Sequence, residues 1–407
     1  MVDGIERIVV VGAGHAGVEF AAALRQKGFG GSITLVGEET DLPYQRPPLS
    51  KEYIKRPGNA LVLKPAQFYA DNAIELRLGA RATAIDRDRR AVRLASGEEL
   101  PYDHLVIATG ARNRRPPVPG LDHPDMIELR TLADANRIVG AIGGWKHVCV
   151  IGGGFIGLEA AGLLATMDIE IDVVEMTPRL MQRAVSPTVS QWFLDFHRSQ
   201  GNRVHLSTQV KAVEHNAARA AVVLDNGKRI SCDAVILAAG VAPNVELATA
   251  AGLKVENGIV VDALLATSDP AISAIGDCAF YPSLHLPGMA RLESVQNATD
   301  QGRALAARLT GEARPYDALP WFWSIQGEAR LQIAGLSKQG LTEVVRGDPG
   351  AGKFSVFLYE GDRLACVESV NAPGEHMAAR RIIAAGTRVD PARAADMSVD
   401  MKVLMAG

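Results

Sequence analysis

The chain has 407 residues, 47% of them hydrophobic, which is enough for two or three domains with ordinary cores. Its formal net charge of −3 carries no basic surplus and argues against nucleic acid as a partner. No segment approaches the roughly 20 consecutive apolar residues of a membrane span, and the apolar run at 8–11 is too short for a signal peptide, so we expect a soluble cytoplasmic protein without a membrane partner.

The N-terminal segment predicts a strand-turn-helix unit that binds a dinucleotide. A β-branched strand at 8–11 leads into Gly12-Ala-Gly-His-Ala-Gly17, and a small-residue helix at 18–25 and a second strand at 32–36 follow. Glycines in this pattern let the backbone approach a pyrophosphate, which binds at the N-terminus of the helix. Glu38, just after the second strand, is placed to accept a hydrogen bond from a ribose hydroxyl.

The same order of elements recurs later in the chain. A strand at 148–151 leads into Gly152-Gly-Gly-Phe-Ile-Gly157, followed by a helix at 158–166 and a strand at 171–174 that ends before Glu175. One such fingerprint is a weak signal, but two in the same context are a specific one. A carboxylate at Glu175 favours NADH over NADPH because it repels a 2′-phosphate, although Arg179 leaves this preference open.

The motifs also limit the chemistry. Two dinucleotide sites without a kinase-type phosphate loop indicate hydride transfer between a nicotinamide and a flavin, which releases electrons singly. A dithiol relay needs cysteines beside the flavin, yet residues 12–148 contain none. No metal-type spacing is present either, so we expect buried, reduced thiols and no metal site at Cys149, Cys232, Cys278 and Cys366. The flavin would therefore pass its electrons to an external one-electron acceptor, to dioxygen or to peroxide.

Taken in order, the motifs resemble those of the oxygenase-coupled NADH-dependent ferredoxin reductases, the family of putidaredoxin reductase and rubredoxin reductase. Besides the first fingerprint, they are Arg46-Pro-Pro-Leu-Ser-Lys51, Ala108-Thr-Gly-Ala-Arg112, Gly152-Gly-Gly-Phe-Ile-Gly-Leu-Glu159, Ala274-Ile-Gly-Asp-Cys278, Glu293-Ser-Val-Gln-Asn-Ala298 and Pro320-Trp-Phe-Trp-Ser324. The resemblance implies noncovalent FAD, NADH as donor, a 2Fe-2S ferredoxin or a rubredoxin that supplies a cytochrome P-450 or other oxygenase as acceptor, and a monomer or weak dimer.

The resemblance also assigns residues to the cofactors. Asp277 resembles the acceptor for the ribityl hydroxyls, Val295 would approach the far edge of the isoalloxazine, and Ala82 would contact the adenine region through its backbone. The full predicted set for the two cofactors is Gly12, Gly14, His15, Ala16, Gly17, Glu38, Arg46, Lys51, Ala82, Ala108, Thr109, Gly110, Arg112, Arg130, Gly152, Gly154, Ile156, Gly157, Glu159, Glu175, Gly240, Gly276, Asp277, Val295 and Trp323.

Three residues are predicted to be catalytic. The resemblance pairs Lys51 with Glu159 beside the flavin, where the lysine would stabilise charge on the reduced ring. Trp323 falls where the family places an indole near the nicotinamide pocket and the ferredoxin-facing surface. The alternatives are an unrelated surface lysine and glutamate, and a tryptophan that only packs. The family usually continues Trp-Ser-Asp-Gln, and this chain has Ile325 in place of the aspartate.

The expected fold is α/β, with two Rossmann-like nucleotide-binding domains in a glutathione reductase-like architecture, the second inserted in the first, and a C-terminal α+β domain. The expected limits are 1–113 and 245–320 for the FAD domain, 114–244 for the NADH domain and 321–407 for the C-terminal domain. In the last we predict a hairpin of strands at 354–359 and 364–370 and a helix at 375–384.

Partner docking is expected to need a basic patch, because ferredoxins are commonly acidic. At least two of several arginines from different segments should converge: Arg112, Arg114, Arg115, Arg303, Arg308, Arg314, Arg380 and Arg381. Two other functions remain open, an NADH oxidase or peroxidase and a flavin-binding signalling protein resembling apoptosis-inducing factor. The first normally needs a cysteine near the flavin, and the second tends to carry long insertions.

Overall fold

The two copies of the fingerprint lie in two separate compact units of the chain. The computed structural model describes residues 4–58, 61–216 and 219–406. Unit 1 consists of Met1–Gln45, Ala60–Arg112 and Ala242–Ala318. Unit 2 consists of Arg46–Asn59, Asn113–Val241 and Leu319–Gly407. Two short strands each include a position where the chain passes from one unit to the other, Ala111–Asn113 and Val241–Pro243.

Unit 1 is built around a parallel sheet. Its central strands are almost entirely buried, as expected for strands covered on both faces, and this explains their continuous apolar sequences. The strands in spatial order are Ile272–Ala274, His104–Ile107, Arg7–Val11, Ser32–Val36 and Ile74–Arg77. Each pairs with its neighbours in parallel, so the carboxyl ends of the strands lie at one edge.

Helices His15–Gln26 and Val295–Leu309 pack closely against each other in unit 1. A Cβ on Gly302 would lie 2.9 Å from both Ala16 O and Phe20 N, so only glycine permits this approach. Further short helices of the unit are Ala66–Asp71 and Glu246–Ala250. Its smaller sheets contain Ala82–Asp86, Ala91–Leu94 and Glu99–Pro101, and Ile259–Val260, Ala279–Pro282 and Met289–Ala290.

Unit 2 contains a second parallel sheet with the second fingerprint. Its strands in spatial order are Arg203–His205, Glu170–Val174, His147–Ile151 and Ala234–Leu237. An antiparallel sheet is formed by Val210–His215, Ala220–Leu224 and Arg229–Cys232. The helices of this part are Glu52–Lys55, Leu132–Ala141, Phe155–Ala165 and Pro187–Ser199.

The C-terminal part of unit 2 is α+β. Its antiparallel strands in spatial order are Trp321–Gln326, Ala329–Gly335, Arg363–Val370, Lys353–Glu360 and Thr342–Asp348. The helices are Pro373–Ala385, Pro391–Ala395 and Met401–Ala406. In the part of the chain that the structure describes, every helix is too short or too polar to span a bilayer.

The predicted fold class is confirmed, as are the strand at Ser32–Val36 and the C-terminal hairpin. The two fingerprint helices begin three residues earlier than predicted, at His15 and Phe155. The reason is that Gly14 and Gly154 are extended N-caps, and the helix starts directly after its cap whether or not the next residues are apolar. The three domain limits stay a prediction.

A buried carboxyl group makes the stability of unit 2 depend on pH. Glu368 is fully buried, and its carboxyl accepts hydrogen bonds from Ser186 N (3.0 Å) and Ser186 Oγ (2.6 Å), the N-cap of the helix Pro187–Ser199. Burial raises the pKa of Glu368 from its usual 4.5 to about 7. The folded state therefore holds a proton that the unfolded state releases, and stability falls as pH rises from 4.5 towards 7.

We expect Glu368→Gln to remove this pH dependence. Relative to the unmodified chain, the variant should gain up to about 3 kcal/mol of unfolding free energy between pH 5 and pH 8. Denaturant unfolding of both proteins across this range measures the difference. The exposed Glu360→Gln on the strand Lys353–Glu360 is the control, and it should show no such gain. Parallel pH curves for the Glu368 variant and the unmodified chain would contradict the prediction.

Candidate cofactor sites

Both fingerprints place their first and third glycines in tight backbone contacts. Gly12 has φ of +117°, and a Cβ there would lie 2.1 Å from Ala108 O. A Cβ on Gly17 would lie 2.0 Å from Gly12 O. The second copy repeats this, since a Cβ on Gly152 (φ +115°) would lie 2.3 Å from Ala238 O and one on Gly157 would lie 2.1 Å from Gly152 O. These four glycines are required by the protein's own backbone.

The protein backbone itself does not require a glycine in the middle of either fingerprint. A Cβ on Gly14 or on Gly154 would meet no heavy atom within 4 Å among the described residues. Both are N-caps of the following helix and, as glycines, have no side chain that could satisfy the free N–H groups there. Space above the N-terminus of a helix, directly after a parallel strand, is where a dinucleotide pyrophosphate binds. The residues present therefore fit a dinucleotide in each unit.

Other predicted residues of unit 1 lie at the same edge of its sheet. Ala108 follows the strand His104–Ile107 and Gly276 follows Ile272–Ala274, and a Cβ on Gly276 would lie 3.0 Å from the Ala16 Cβ. Gly276, with φ of +77°, begins a short 3₁₀ helix that contains Asp277. The strand ends therefore bring together the first fingerprint, the end of the strand His104–Ile107 and the Gly276-Asp277 pair.

The remaining predicted residues of unit 1 are spread more widely. His15 begins the fingerprint helix, and Val295 is the first residue of the helix Val295–Leu309, capped by Ser294. Glu38 is exposed and forms an ion pair with Arg81, 3.6 Å between carboxylate and guanidinium, one residue before Ala82 begins the strand Ala82–Asp86. The carboxylate of Glu38 is thus accessible to a ribose.

Asn244 is a residue of unit 1 that the sequence analysis did not single out. Its Nδ2 donates to Thr109 O (2.9 Å), and its backbone atoms bond to Thr109 Oγ1 (2.7 Å) and Gly110 O (2.9 Å). Its Oδ1 accepts from Arg112 (2.9 Å), which also forms an ion pair with Glu246 at 2.7 Å. Asn244 therefore fixes the turn Ala108–Arg112. The only feature of the sequence that could have drawn attention to Asn244 is that it follows Pro243.

In unit 2, Glu175 is oriented by the second fingerprint. Its Oε2 accepts from Gly153 N at 2.7 Å, and its Oε1 accepts from Thr177 N and Thr177 Oγ1, each at 2.7 Å. Arg179 instead donates to the carbonyls of Val185 and Gln182. The carboxylate is thus held at the carboxyl end of the strand Glu170–Val174, where a nucleotide ribose is recognised in this fold.

Further predicted residues of unit 2 lie near this edge or form local contacts. Ile156, in the first turn of the helix Phe155–Ala165, is 44% exposed. Gly240 adopts φ of +89° after the strand Ala234–Leu237. Arg46 donates to Arg130 O at 2.7 Å, so these two predicted residues are in contact.

The structure brings Lys51 and Glu159 together. Lys51 Nζ lies 2.6 Å from Glu159 Oε2, and Glu159 is 95% buried. Ser50 Oγ donates to the same oxygen at 2.7 Å, and Ser324 Oγ donates to Oε1 at 2.8 Å, with Ile325 N at 3.4 Å. Buried charges need such pairing and hydrogen bonds. The unrelated surface pair considered above is therefore wrong, and Ser50 and Ser324 are partners that sequence reasoning missed.

Helix Phe155–Ala165 and strand Trp321–Gln326 meet in register. The residues at helix positions 155, 159 and 162 lie on one face of the helix. Because side chains alternate along a strand, those at positions 322, 324 and 326 all point to the same side of it. Phe155 and Phe322 have ring centroids 4.5 Å apart, Glu159 accepts from Ser324, and a Cβ on Gly162 would lie 2.6 Å from Gly327 N. The matching periods explain why the strand reaches the glutamate.

Trp321, Trp323 and Ile325 lie on the other side of that strand. The two indoles stack with centroids 5.6 Å apart, and Arg380 lies 4.3 Å over the ring of Trp321. By alternation, the side chain of Ile325 points to this aromatic side and only its backbone N–H reaches Glu159. Replacing the family's aspartate by isoleucine therefore affects the aromatic surface and leaves the carboxylate cluster intact.

Several of the candidate arginines are engaged in other contacts. Arg115 pairs with Glu128 at 2.7 Å, Arg303 with Glu19 at 2.6 Å, and Arg308 donates to Ser273 Oγ and Leu264 O. Burial also lowers the pKa of Arg308. Of the candidates, Arg380 lies over the ring of Trp321, which stacks on the predicted Trp323, so it is the best placed for a basic docking patch.

The cysteines are free and buried, as expected, and burial raises the pKa of Cys149, Cys232, Cys278 and Cys366. A cluster of possible metal ligands, His123, Asp125 and His215, occurs among the described residues. The two imidazoles stack at 4.0 Å with planes 14° apart. Ring-nitrogen lone pairs lie in the ring plane, so two stacked rings do not direct them at one ion.

Comparison with known proteins places the chain in a family. The model described as pyridine nucleotide-disulphide oxidoreductase matches residues 6–302, and one described as reductase C-terminal matches residues 321–405. The chain belongs to the pyridine nucleotide-disulphide oxidoreductase family. It is therefore an oxidoreductase, and the resemblance to the ferredoxin reductases of oxygenase systems is confirmed by its relatives.

Relatives of similar length cover nearly the whole chain. Rhodocoxin reductase of Rhodococcus erythropolis is 48% identical over 98% of this chain and 94% of its own length. Putidaredoxin reductase of Pseudomonas putida is 40% identical over 98% and 97%. The crystal structure of the ferredoxin reductase for the CYP199A2 system from Rhodopseudomonas palustris superposes with a TM-score of 0.95, at 47% identity, over 98% of this chain and 99% of that one. A covalent putidaredoxin reductase-putidaredoxin complex superposes with a TM-score of 0.94, at 40% identity, over 98% of each chain.

Proposed function

We propose that this oxidoreductase is an NADH-dependent ferredoxin reductase. It would bind FAD noncovalently and pass electrons from NADH, one at a time, to a 2Fe-2S ferredoxin or a rubredoxin that supplies an oxygenase. The observation that carries the proposal is the repeated fingerprint, in which both middle glycines leave open space above a helix N-terminus. FAD, when bound, accepts two electrons together from NADH and releases them singly.

The chain's own residues bind and orient the cofactors. We assign the first fingerprint and Asp277 to FAD, and the second fingerprint with Glu175 to NADH. The N–H groups of the helices at His15 and Phe155 would hold the pyrophosphates, because the start of a helix carries free donors and partial positive charge. Lys51, fixed by Glu159, would stabilise negative charge on the reduced ring.

Glu175 is expected to set the preference for NADH. Glu175→Gln keeps one oxygen for Gly153 or Thr177 but removes the charge that repels a 2′-phosphate. The ratio of kcat/KM for NADH to that for NADPH should therefore fall by about tenfold or more. Glu170→Gln removes a carboxylate at the opposite end of the same strand and should leave the ratio unchanged. An unchanged ratio in Glu175→Gln would contradict this assignment.

The aromatic side of the strand Trp321–Gln326 is the proposed acceptor face. Trp323 stacks on Trp321, and Arg380 adds a positive charge above the indole of Trp321. A cation beside aromatic rings suits an acidic carrier, because charges set docking and rings supply contact area. The proposal also places the protein in the cytoplasm as a monomer or weak dimer, and free buried cysteines are consistent with a reducing compartment.

Anaerobic stopped-flow measurement tests the function. The FAD-loaded protein is mixed with NADH, and the flavin absorbance is followed; the reduced protein is then mixed with a 2Fe-2S ferredoxin, a rubredoxin or dioxygen. We expect rapid reduction and rapid transfer to an iron-sulfur or iron carrier. Slow reduction by NADH would overturn the enzyme proposal. Rapid reduction followed by oxidation only by dioxygen would overturn the proposed acceptor and favour an oxidase.

A further inference from the structure

A line of buried polar side chains leads through unit 2 to Glu159. Ser324 Oγ donates to Glu159 Oε1 at 2.8 Å, and Gln326 Nε2 donates to Ser324 Oγ at 3.3 Å. Gln326 Oε1 bonds to His197 Nε2 at 2.9 Å, and His197 Nδ1 bonds to Asn202 Nδ2 at 3.0 Å. Each of these side chains is at least 95% buried. The line therefore runs without solvent from Asn202 to the carboxylate.

Every hydrogen bond in this line points towards Glu159. An amide oxygen only accepts, so His197 Nε2 carries the ring hydrogen that Gln326 receives. Burial lowers the pKa of His197, which leaves its Nδ1 free to accept from Asn202. The single hydroxyl hydrogen of Ser324 goes to Glu159, so the Ser324 oxygen accepts from Gln326. Aligned hydrogen bonds polarise one another, and the final donor is strengthened.

The two oxygens of Glu159 have different partners. Oε2 accepts from the ammonium of Lys51 and the hydroxyl of Ser50, whereas Oε1 accepts from the Ser324 hydroxyl at 2.8 Å and, at a longer 3.4 Å, from the backbone N–H of Ile325. A carboxylate held at both oxygens cannot rotate about its terminal bond, and hydrogen bonds to charged groups are strong. The orientation of Oε2, and with it the position of Lys51 Nζ, therefore depends on the Ser324 hydroxyl.

We propose that Ser324, oriented by Gln326, is a positioning residue that acts through Glu159 to hold Lys51 where it assists flavin reduction. This inference rests on the proposed function and assigns Ser324 and Gln326 a role that they exert through Glu159 and Lys51. The strand Trp321–Gln326 therefore has two proposed roles. The same strand presents Trp323 on one side and fixes the Lys51–Glu159 pair with Ser324 on the other.

The test removes, weakens or keeps one hydroxyl. In anaerobic stopped flow of the FAD-loaded proteins, Ser324→Ala should lower the limiting rate constant of reduction by NADH about tenfold or more. The apparent Kd for NADH should stay unchanged, because no nucleotide contact is lost. Ser324→Thr keeps the hydroxyl and should restore most of the rate. Ser324→Cys, a weak donor of similar size, should be intermediate and serves if the alanine variant does not fold.

Two controls separate positioning from a general loss of structure. Ser355 is equally buried in the same C-terminal sheet and bonds to Ser369 at 2.8 Å, so Ser355→Ala removes a comparable hydroxyl remote from Glu159. Its limiting rate should match that of the unmodified enzyme. Ser324→Ala added to Lys51→Met should cause no further slowing, because a residue that acts through Lys51 has no effect once Lys51 is gone.

The outcomes distinguish the inference from the function on which it rests. If NADH fails to reduce the unmodified enzyme, the proposed function is wrong. If NADH reduces the unmodified enzyme rapidly, and reduces Ser324→Ala and Ser324→Cys as fast as the unmodified enzyme, only the positioning role is overturned. The role is likewise overturned if Ser324→Ala slows the Lys51→Met background as much as it slows the unmodified enzyme, or if Ser355→Ala slows reduction equally.

Discussion

Replacing Lys51 by methionine should slow reduction by NADH about 100-fold or more, a typical cost for removing one group that stabilises charge in a transition state. Methionine has an unbranched side chain one atom shorter than that of lysine and carries no charge. The variant should still bind FAD, because the fingerprint of unit 1 is untouched. Stopped-flow absorbance at saturating NADH measures the rate constant. A rate within twofold of the unmodified enzyme would contradict the catalytic assignment of Lys51.

The matched control removes both charges of the pair. Lys51→Met alone leaves Glu159 as a buried carboxylate without its cation, which typically costs about 3–5 kcal/mol of stability. The double variant Lys51→Met/Glu159→Gln has no uncompensated charge and should recover much of that stability. Its reduction rate should remain low. Recovery of both stability and rate would mean that the lysine serves the fold and has no catalytic role.

Substitution by alanine should affect stability at one glycine of the second fingerprint and NADH affinity at another. Gly157→Ala forces a Cβ to within 2.1 Å of Gly152 O, so we expect it to destabilise the NADH-binding fold by about 1–3 kcal/mol or more. Gly154→Ala meets no heavy atom within 4 Å among the described residues, and its extended backbone suits alanine. It should leave thermal stability nearly unchanged but raise the Kd for NADH about tenfold or more, since the methyl enters the pyrophosphate space.

Thermal unfolding and NADH titration of both variants check this pair. Each variant controls for the other, because the two positions are three residues apart and the added group is identical. An unchanged NADH affinity in Gly154→Ala would mean that the open space above the helix is not used by the nucleotide. The same design applies to Gly14 and Gly17 with FAD.

The local parts of the cofactor sites were predictable because their signals are local. A glycine fingerprint combines strand, turn and helix within about 25 residues, and the burial of strands such as Arg7–Val11 follows from their continuous apolar sequence. The helix starts were missed by three residues. Apolar periodicity marks the buried face of a helix, whereas its first residue is decided by the capping glycine.

Contacts between distant segments were not predictable in the same way. Asn244 fixes the turn at Thr109 and Gly110 from 135 positions away, and Ser324 reaches Glu159 from 165 positions away. Asparagine and serine are common in loops and strands, and neither spacing forms a recognisable motif. Lys51 and Glu159 could be paired only through a family resemblance. Their separation of 108 positions carries no periodic signal.

The sequence by itself determined that the chain holds two dinucleotide fingerprints, an acidic residue after each second strand and no dithiol near the first. These features depend on the order of neighbouring residues, which fixes local backbone geometry. Only the tertiary structure decided which glycines serve the backbone and which leave space for a ligand. It also decided that Glu159 is buried with four hydrogen-bond donors, and that Ser324 links it to His197. Burial and hydrogen-bond partners depend on which segments pack together, and that information is spread over the whole chain.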